Sequence, residues 1–303
     1  MFEAFLESMV KTATPLLLAA IGEMIVEESG IINIGIEGVM LSAAFFAMAA
    51  AYFSGVPMAG LFAGIGAAIV LTTIFALLVI NLAINQIVAG TAINMFAVGL
   101  TGIFYRRLFG ITGSAFTVKT FNSIALGPLA HLPIIGRALF NQNVIVYATF
   151  ALVPILALIF RRTRYALRLR AAGERPAAAD SLGLNVYRLR WQALAASAVL
   201  TGIGGSYLTL AYTNTFVEGI SAGRGFIALS IVVLGRWNSW GLAASSILFG
   251  GATALQFALQ ATGTALPYQL FLALPYTLTL VVLAAIGDSA RGPSALGEPY
   301  RRT

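Results

Sequence analysis

Apolar runs of about twenty residues recur along nearly the whole chain, separated by short polar breaks, and each is long enough to cross a bilayer as a helix. In order they cover Leu6 to Val26, Ile31 to Phe53, Val56 to Ile80, Ile87 to Tyr105, Val144 to Phe160, Trp191 to Tyr212, the shorter Phe226 to Leu234, Trp240 to Gln260 and Leu266 to Ile286. The pattern predicts an all-α, polytopic membrane protein of about nine transmembrane helices, built as a single transmembrane domain over 1–303. A transmembrane barrel would need alternating segments of about ten residues, and these are absent.

Two stretches interrupt the apolar pattern. Leu108 to Asn143 mixes Gly, Pro, Ser, Thr and Asn with Lys119, His131 and Arg137, and reads as a surface loop. Arg161 to Arg190 carries Arg161, Arg162, Arg164, Arg168, Arg170, Arg175, Arg188 and Arg190 against only Glu174 and Asp180. Short loops rich in Arg and Lys stay cytoplasmic, so the 161–190 loop orients everything else. Four crossings after it return the C-terminal tail, with Arg291, Arg301 and Arg302, to the cytoplasm. Five crossings before it leave the N-terminus and the 108–143 loop outside. Inside the basic loop, Pro176 suits the first turn of a short helix, and Gly183 suits a left-handed position just past its end. A short capped helix on a basic cytoplasmic loop reads as a docking element.

Composition sharpens this reading. Hydrophobic residues make up 59% and charged residues 10% of the 303, with mean hydropathy +0.90. Soluble domains carry about a quarter charged residues, so a soluble protein is excluded. The start, MFEAFLESMVK, places Glu3 and Glu7 before its first base, unlike a secretory signal, and the first span is expected to be retained. There is no cysteine, which removes disulfides and thiolate metal sites, and His131 is the only histidine, which removes His-cluster metal sites and His-based nucleophilic catalysis. No metal site is expected. No Gly-x-x-x-x-Gly-Lys followed by Ser or Thr occurs, so this chain is not expected to hydrolyse ATP. The net charge of +7 sits mostly in the central loop, which points to anionic lipid headgroups or a cytoplasmic protein partner rather than nucleic acid.

The candidates for chemistry are few. Asn33 and Glu37 are four residues apart, so on a helix they share a face, and an ionisable group at membrane depth normally faces a bundle interior or a wet cavity. They are candidates to line a translocation path, together with Asn94. The alternative for Glu37 is to cap exposed N–H groups at a helix end. Glu23 lies nearer a span end and is expected to be structural. Asn81, Asn85 and Gln86 cluster with Asn94 around the turn between spans three and four, where some should only satisfy helix ends. Gly219, Gly223 and Gly225 around Arg224 suit either a gate or tight helix packing. Arg236, Trp237 and Trp240 suit an interfacial anchor.

An internal echo pairs GIEGVMLS from Gly35 with GRGFIALS from Gly223. It maps spans one to four onto spans six to nine in the opposite orientation, the plan of an inverted repeat with broken helices near the midplane. Chance similarity in a Gly- and Ala-rich sequence is the competing explanation.

Four blocks then stand in order along the chain: EESGIINIGIEGVML, NQIVAGTAINMFAVGLTGIFYRRLFG, AAGERPAAADSLGLNV and GRGFIALSIVVLGRWNSWGLAASSILFG. Together they resemble the permease subunits of ABC importers of the ribose and branched-chain amino acid type. They are most similar to the nucleoside or simple-sugar permeases paired with lipoproteins of the basic-membrane-protein type. The resemblance implies a bacterial cytoplasmic (inner) membrane location and a second permease chain, often different, to form a heterodimer. It also implies an external substrate-binding protein and a cytoplasmic ABC ATPase that holds the ATP and Mg, with no cofactor on this chain. It implies that the 171–186 loop is the coupling helix docking on the ATPase, the match being carried by Gly173, Glu174, Pro176, Ala178, Ala179, Asp180 and Gly183. Nucleosides are the expected substrate, with simple sugars of the ribose type as the alternative. A stand-alone secondary carrier is the rival class, supported only by the intramembrane acids Glu23 and Glu37.

Overall fold

The computed structural model describes residues 2–110, 116–133, 135–261, 268–286 and 292–301. Thirteen helices account for most of them. Helix α1 is Phe2–Glu27, α2 Ile36–Ser54, α3 Pro57–Ala76 and α4 Gln86–Phe109. A turn of π-helix, Leu77–Asn81, extends α3. The loop that follows α4 holds two short antiparallel strands, β1 (Ser123–Ala125) and β2 (Asn141–Asn143), and the single-turn helix α5 (Gly136–Phe140). Then come α6 (Val144–Arg162), α7 (Arg164–Glu174), α8 (Pro176–Ser181) and α9 (Val186–Tyr207), the last extended by a π turn at Leu208–Tyr212. The chain ends with α10 (Arg224–Leu234), α11 (Ser239–Ala261), α12 (Tyr268–Leu272) and α13 (Leu274–Ile286).

Seven of these helices, counting the two π extensions with their parents, are long and apolar enough to cross a membrane. Two further apolar helices, Arg224–Leu234 and Gln269–Val281, are shorter. The expectation of nine full spans therefore meets seven long helices and two partial ones among the described residues. The physical reason is local. At 1.5 Å per residue, the 11 residues of α10 reach only about half of a 30 Å hydrocarbon core. The run expected from Leu266 to Ile286 divides at Ala273 into α12 and α13, and 262–267 lie outside the described residues.

Helix α1 is buried on nearly all sides, whereas α4 and α6 bury only a narrow face. It packs on α9, α10 and α11, and α9 packs on α1, α2 and α3. The expected shared helix face of Asn33 and Glu37 does not form. Helix α2 starts only at Ile36, because the chain from Glu28 to Gly35 turns and then runs without helical structure. Asn33 sits in that segment and Glu37 in the first turn of the helix.

The two faces of the bundle are distinguishable. On one, the Gly30 turn, the foot of α10, helices α7 and α8, and the tail 292–301 meet: Trp237 Nε1 donates to Glu27 Oε2 at 2.7 Å, and Ala295 N to the Gly173 carbonyl at 3.0 Å. On the other, the 108–143 loop meets the N-terminal end of α1 and the turn after α9. Val118 N donates to the Asn214 carbonyl at 2.9 Å and Phe121 N to the Leu210 carbonyl at 2.8 Å, while Arg137 lies 3.9 Å from Glu3.

Candidate functional site

Two helix beginnings meet inside the bundle, and the site is built where they meet. The first is α2, approached from the face of the Gly30 turn, α7 and α8 by the non-helical residues 31–35. In hydrocarbon every backbone group of such a segment needs a protein partner. Polar side chains of α1 and α4 supply them. Gln86 Oε1 accepts from Ile32 N at 2.7 Å, and Glu23 Oε1 accepts from Asn33 N at 2.8 Å. Asn94 Nδ2 donates to the Ile34 carbonyl at 2.9 Å while its Oδ1 accepts from Gly38 N at 2.8 Å. Asn94 lies eight residues into α4, so the start of α2 is about 12 Å up that helix by its rise. Asn85, by contrast, caps α4, its Oδ1 accepting from Ile87 N and Val88 N.

The second beginning is α10, approached from the opposite face by residues 213–223. Its first turn is bound to Glu37. Oε1 accepts from Gly223 N at 2.8 Å and Oε2 from Gly225 N at 2.7 Å. Glu37 thus caps a helix, but one 186 residues further along the chain rather than its own. Glycine at 225 is required by closeness: a Cβ there would lie 2.6 Å from Glu37 Cα and N. A carboxylate facing the start of a helix is favoured by the unpaired N–H groups and by the dipole.

Beside this junction lies a cleft of about 410 Å³. Glu37, Gly38 and Leu41 of α2, Asn94, Met95 and Val98 of α4, and Gly219, Ser221, Ala222 and Phe226 on the α10 side form its walls. Of the three residues expected to line a path, Glu37 and Asn94 reach this cleft. Asn33 does not; it is buried, and its Oδ1 meets no hydrogen-bond partner among the described residues. The wall is mainly apolar, and both polar candidates are engaged in holding backbone. Among the described residues no group of three or more His, Asp or Glu is placed to hold a metal ion.

The basic loop forms a second candidate surface. Helix α7 buries Ala166, Leu169, Ala172 and Gly173 against the bundle and leaves its arginines outside. Pro176 stands at the first turn of α8. Gly183 follows the helix at φ 85°, with Gly183 N bonded to the Asp180 carbonyl at 2.9 Å and Leu184 N to the Ala179 carbonyl at 3.0 Å. These two bonds make a Schellman close. Glu174, Ala178 and Gly183 are exposed, Pro176 and Asp180 are half-buried, and Gly173 and Ala179 face inward. Leu182, 83% exposed, is the apolar tip of the surface.

Beneath this surface the loop is tied to the Gly30 turn. A Cβ on Gly173 would collide with the Glu28 carbonyl, so glycine alone permits this approach. Arg170 Nε bonds both oxygens of Glu28 at 3.2 Å. Burial raises the Glu28 carboxyl above the usual carboxylate range, and the adjacent Arg170 opposes that rise. Arg190 is 2% exposed; its Nε donates to the Ser29 carbonyl at 3.2 Å.

The tail was unremarked in the sequence beyond its charge, and it completes the assembly. Gly297 N donates to the Gly30 carbonyl at 3.1 Å, and Ser294 bonds Glu174. Tyr300 OH donates to Asp180 Oδ2 at 3.1 Å, and the Arg190 guanidinium lies 5.8 Å from the centre of its ring. Trp237, expected as an interfacial anchor, hydrogen-bonds Glu27. No short motif in the sequence announced these pairings.

Broken helices meeting inside a polytopic bundle define a multi-pass membrane protein with an internal cleft. The chain belongs to the family described as branched-chain amino acid transport system / permease component, whose profile matches residues 5–283. It is 33% identical over 302 residues to the nucleoside ABC transporter permease protein NupC of Lactococcus lactis subsp. cremoris, covering 97% of this chain and 95% of the relative. It is 32% identical to the guanosine ABC transporter permease protein NupQ of Bacillus subtilis, over 95% and 93% of the two chains. A putative glucose ABC transporter permease protein, TsgC13 of Haloferax volcanii, is 31% identical over 98% and 97%. No solved structure matches the chain. The protein is a multi-pass membrane permease subunit of an ABC transporter.

Proposed function

We propose that this chain is the translocating subunit of an ATP-driven importer of nucleosides, coupled to a separate cytoplasmic ATPase through the 171–186 loop. The observation that carries the reading is the direct tie between that loop and the Gly30 turn from which residues 31–35 rise to the cleft. A push on α8 is delivered through Gly173 and Glu28 to the foot of the broken helix. The names of the Lactococcus and Bacillus relatives support nucleosides. Simple sugars are the second reading, supported by the name of the Haloferax relative.

Positive charge in the 161–190 loop supports a cytoplasmic position for that face, for the tail and for α8. The N-terminus and the 108–143 loop then lie outside, where a substrate-binding protein delivers. The ATP and Mg belong to the partner ATPase. A second permease chain flanks α4, whose side away from the cleft is apolar and exposed at Phe96 and Ile103. Spans one to four and six to nine form one inverted-repeat domain over 1–303. The exchange of partners between α1 and α9, each packing on the other half, supports that plan. A lone secondary carrier is disfavoured, since both oxygens of Glu37 and Oε1 of Glu23 are spent on backbone N–H groups.

Uptake of labelled guanosine by cells with and without this chain tests the proposal. Loss of uptake on deletion, with an ATPase bearing P-loops and a second permease co-purifying, is the expected result. Unchanged uptake, or a chain that purifies alone and transports without nucleotide, overturns it.

A further inference from the structure

We propose that Glu37 is a specificity-determining residue, whose carboxylate occupies the anion-attracting start of α10 and so restricts passage through the cleft to uncharged substrates. The inference rests on the cleft being the translocation path and adds the chemical class that it admits.

The first turn of a helix is a ready anion site, with N–H groups pointing outward at the positive end of a dipole. In α10 these groups lie behind Glu37, which itself lines the cleft and stands between it and the amides of Gly223 and Gly225. A phosphate group reaching this wall would bind through the same two amides that Glu37 holds at 2.8 and 2.7 Å. Glu37 is itself partly accessible, so its charge faces the cleft as well as the helix.

Among the described residues, no Lys, Arg or His lines the cleft to offset it. The adjacent Arg224 lines a different cavity of about 220 Å³, and its Nη1 donates to the Ile220 and Ser221 carbonyls at 2.8 and 3.2 Å. Asn94 has both ends of its amide engaged. An uncharged base or sugar therefore meets Leu41, Met95, Val98 and Phe226, whereas a phosphorylated one meets a carboxylate with no counter-charge. The device distinguishes a nucleoside from a nucleotide and a sugar from a sugar phosphate alike.

The test uses the assembled transporter in proteoliposomes, with inorganic phosphate as the probe and chloride at equal ionic strength as the control. Wild-type guanosine uptake should be insensitive to millimolar phosphate. Glu37→Gln loses the charge and frees one amide, and Glu37→Ala frees both, so phosphate should inhibit each variant by about five-fold or more. Variants as insensitive as wild type overturn the proposal. If neither variant transports, equilibrium dialysis of the detergent-purified complex with labelled phosphate decides. Saturable binding by Glu37→Ala and none by wild type supports the plug, and equal binding by both sinks it. A wild-type complex that ignores guanosine defeats the nucleoside reading alone, because the dialysis result does not depend on guanosine.

Discussion

The two half-helices that meet at the cleft are held by different means. The approach to α2 is braced from outside: Gln86, Glu23 and Asn94, on two other helices, take up the polar groups of residues 32, 33, 34 and 38. The approach to α10 is braced from within. Residues 213–223 fold on themselves through turns, with left-handed backbone at Asn214, Gly219, Ala222 and Gly223. Bonds from elsewhere reach that approach too: Glu37 accepts from Gly223 N, Tyr276 OH donates to the Ala222 carbonyl, Val118 N donates to the Asn214 carbonyl, and Arg106 pairs with Glu218 at 3.0 Å. The feet differ too. The α2 side joins the docking loop through Gly173, Arg170 and the tail, while the α10 side reaches the same face through Trp237 and Glu27. One half is a strut fixed along its length, and the other is a short helix pinned at its two ends.

The most damaging way to break this comparison is to wedge the halves apart. Gly225→Leu puts a branched side chain where even a Cβ lies 2.6 Å from Glu37, so uptake should be abolished and the melting temperature of the purified complex should fall. Normal uptake would mean the junction opens freely. Next, Gly183→Pro cannot hold φ at 85°, and Asp180→Lys reverses the charge beside Tyr300. Each should insert normally yet cut guanosine uptake by about ten-fold while ATP hydrolysis persists; substrate-stimulated ATPase at wild-type level would count against α8 as the coupling element. Asn94→Ala leaves Gly38 N and the Ile34 carbonyl without partners and should cost about 2–4 kcal/mol of stability, read by denaturant titration. The smallest effect is expected on the pinned side: Trp237→Phe removes one bond to Glu27 and should cost about 1–2 kcal/mol. If Trp237→Phe proved worse than Asn94→Ala, the ranking of the two halves would be reversed.

Much of the architecture was readable in advance. Apolar runs located the long helices because a bilayer demands them at a set length, and Pro176 and Gly183 bracketed α8 because their backbone preferences are local. The break after Glu28 was visible as well. Its consequence for Asn33 and Glu37 was not, since a spacing of four residues places two side chains together only if the helix is continuous between them. Glu23 and Gln86 looked like span-end polarity, and their true role required knowing which backbone lacked partners. The tail offered only a few charges, although Ser294, Ala295, Gly297 and Tyr300 each find a partner on the loop-bearing face.

What the sequence alone determined is what depends on neighbours along the chain: the positions of the seven long helices, helix caps, the basic loop and the glycine-marked breaks. What only the tertiary structure decided is which distant group answers each broken one. Glu37 meets Gly223 and Gly225 because the fold brings a helix start beside a carboxylate, and hydrocarbon leaves such groups no water to use instead. Pairing at that separation is set by packing, and packing is a property of the whole fold.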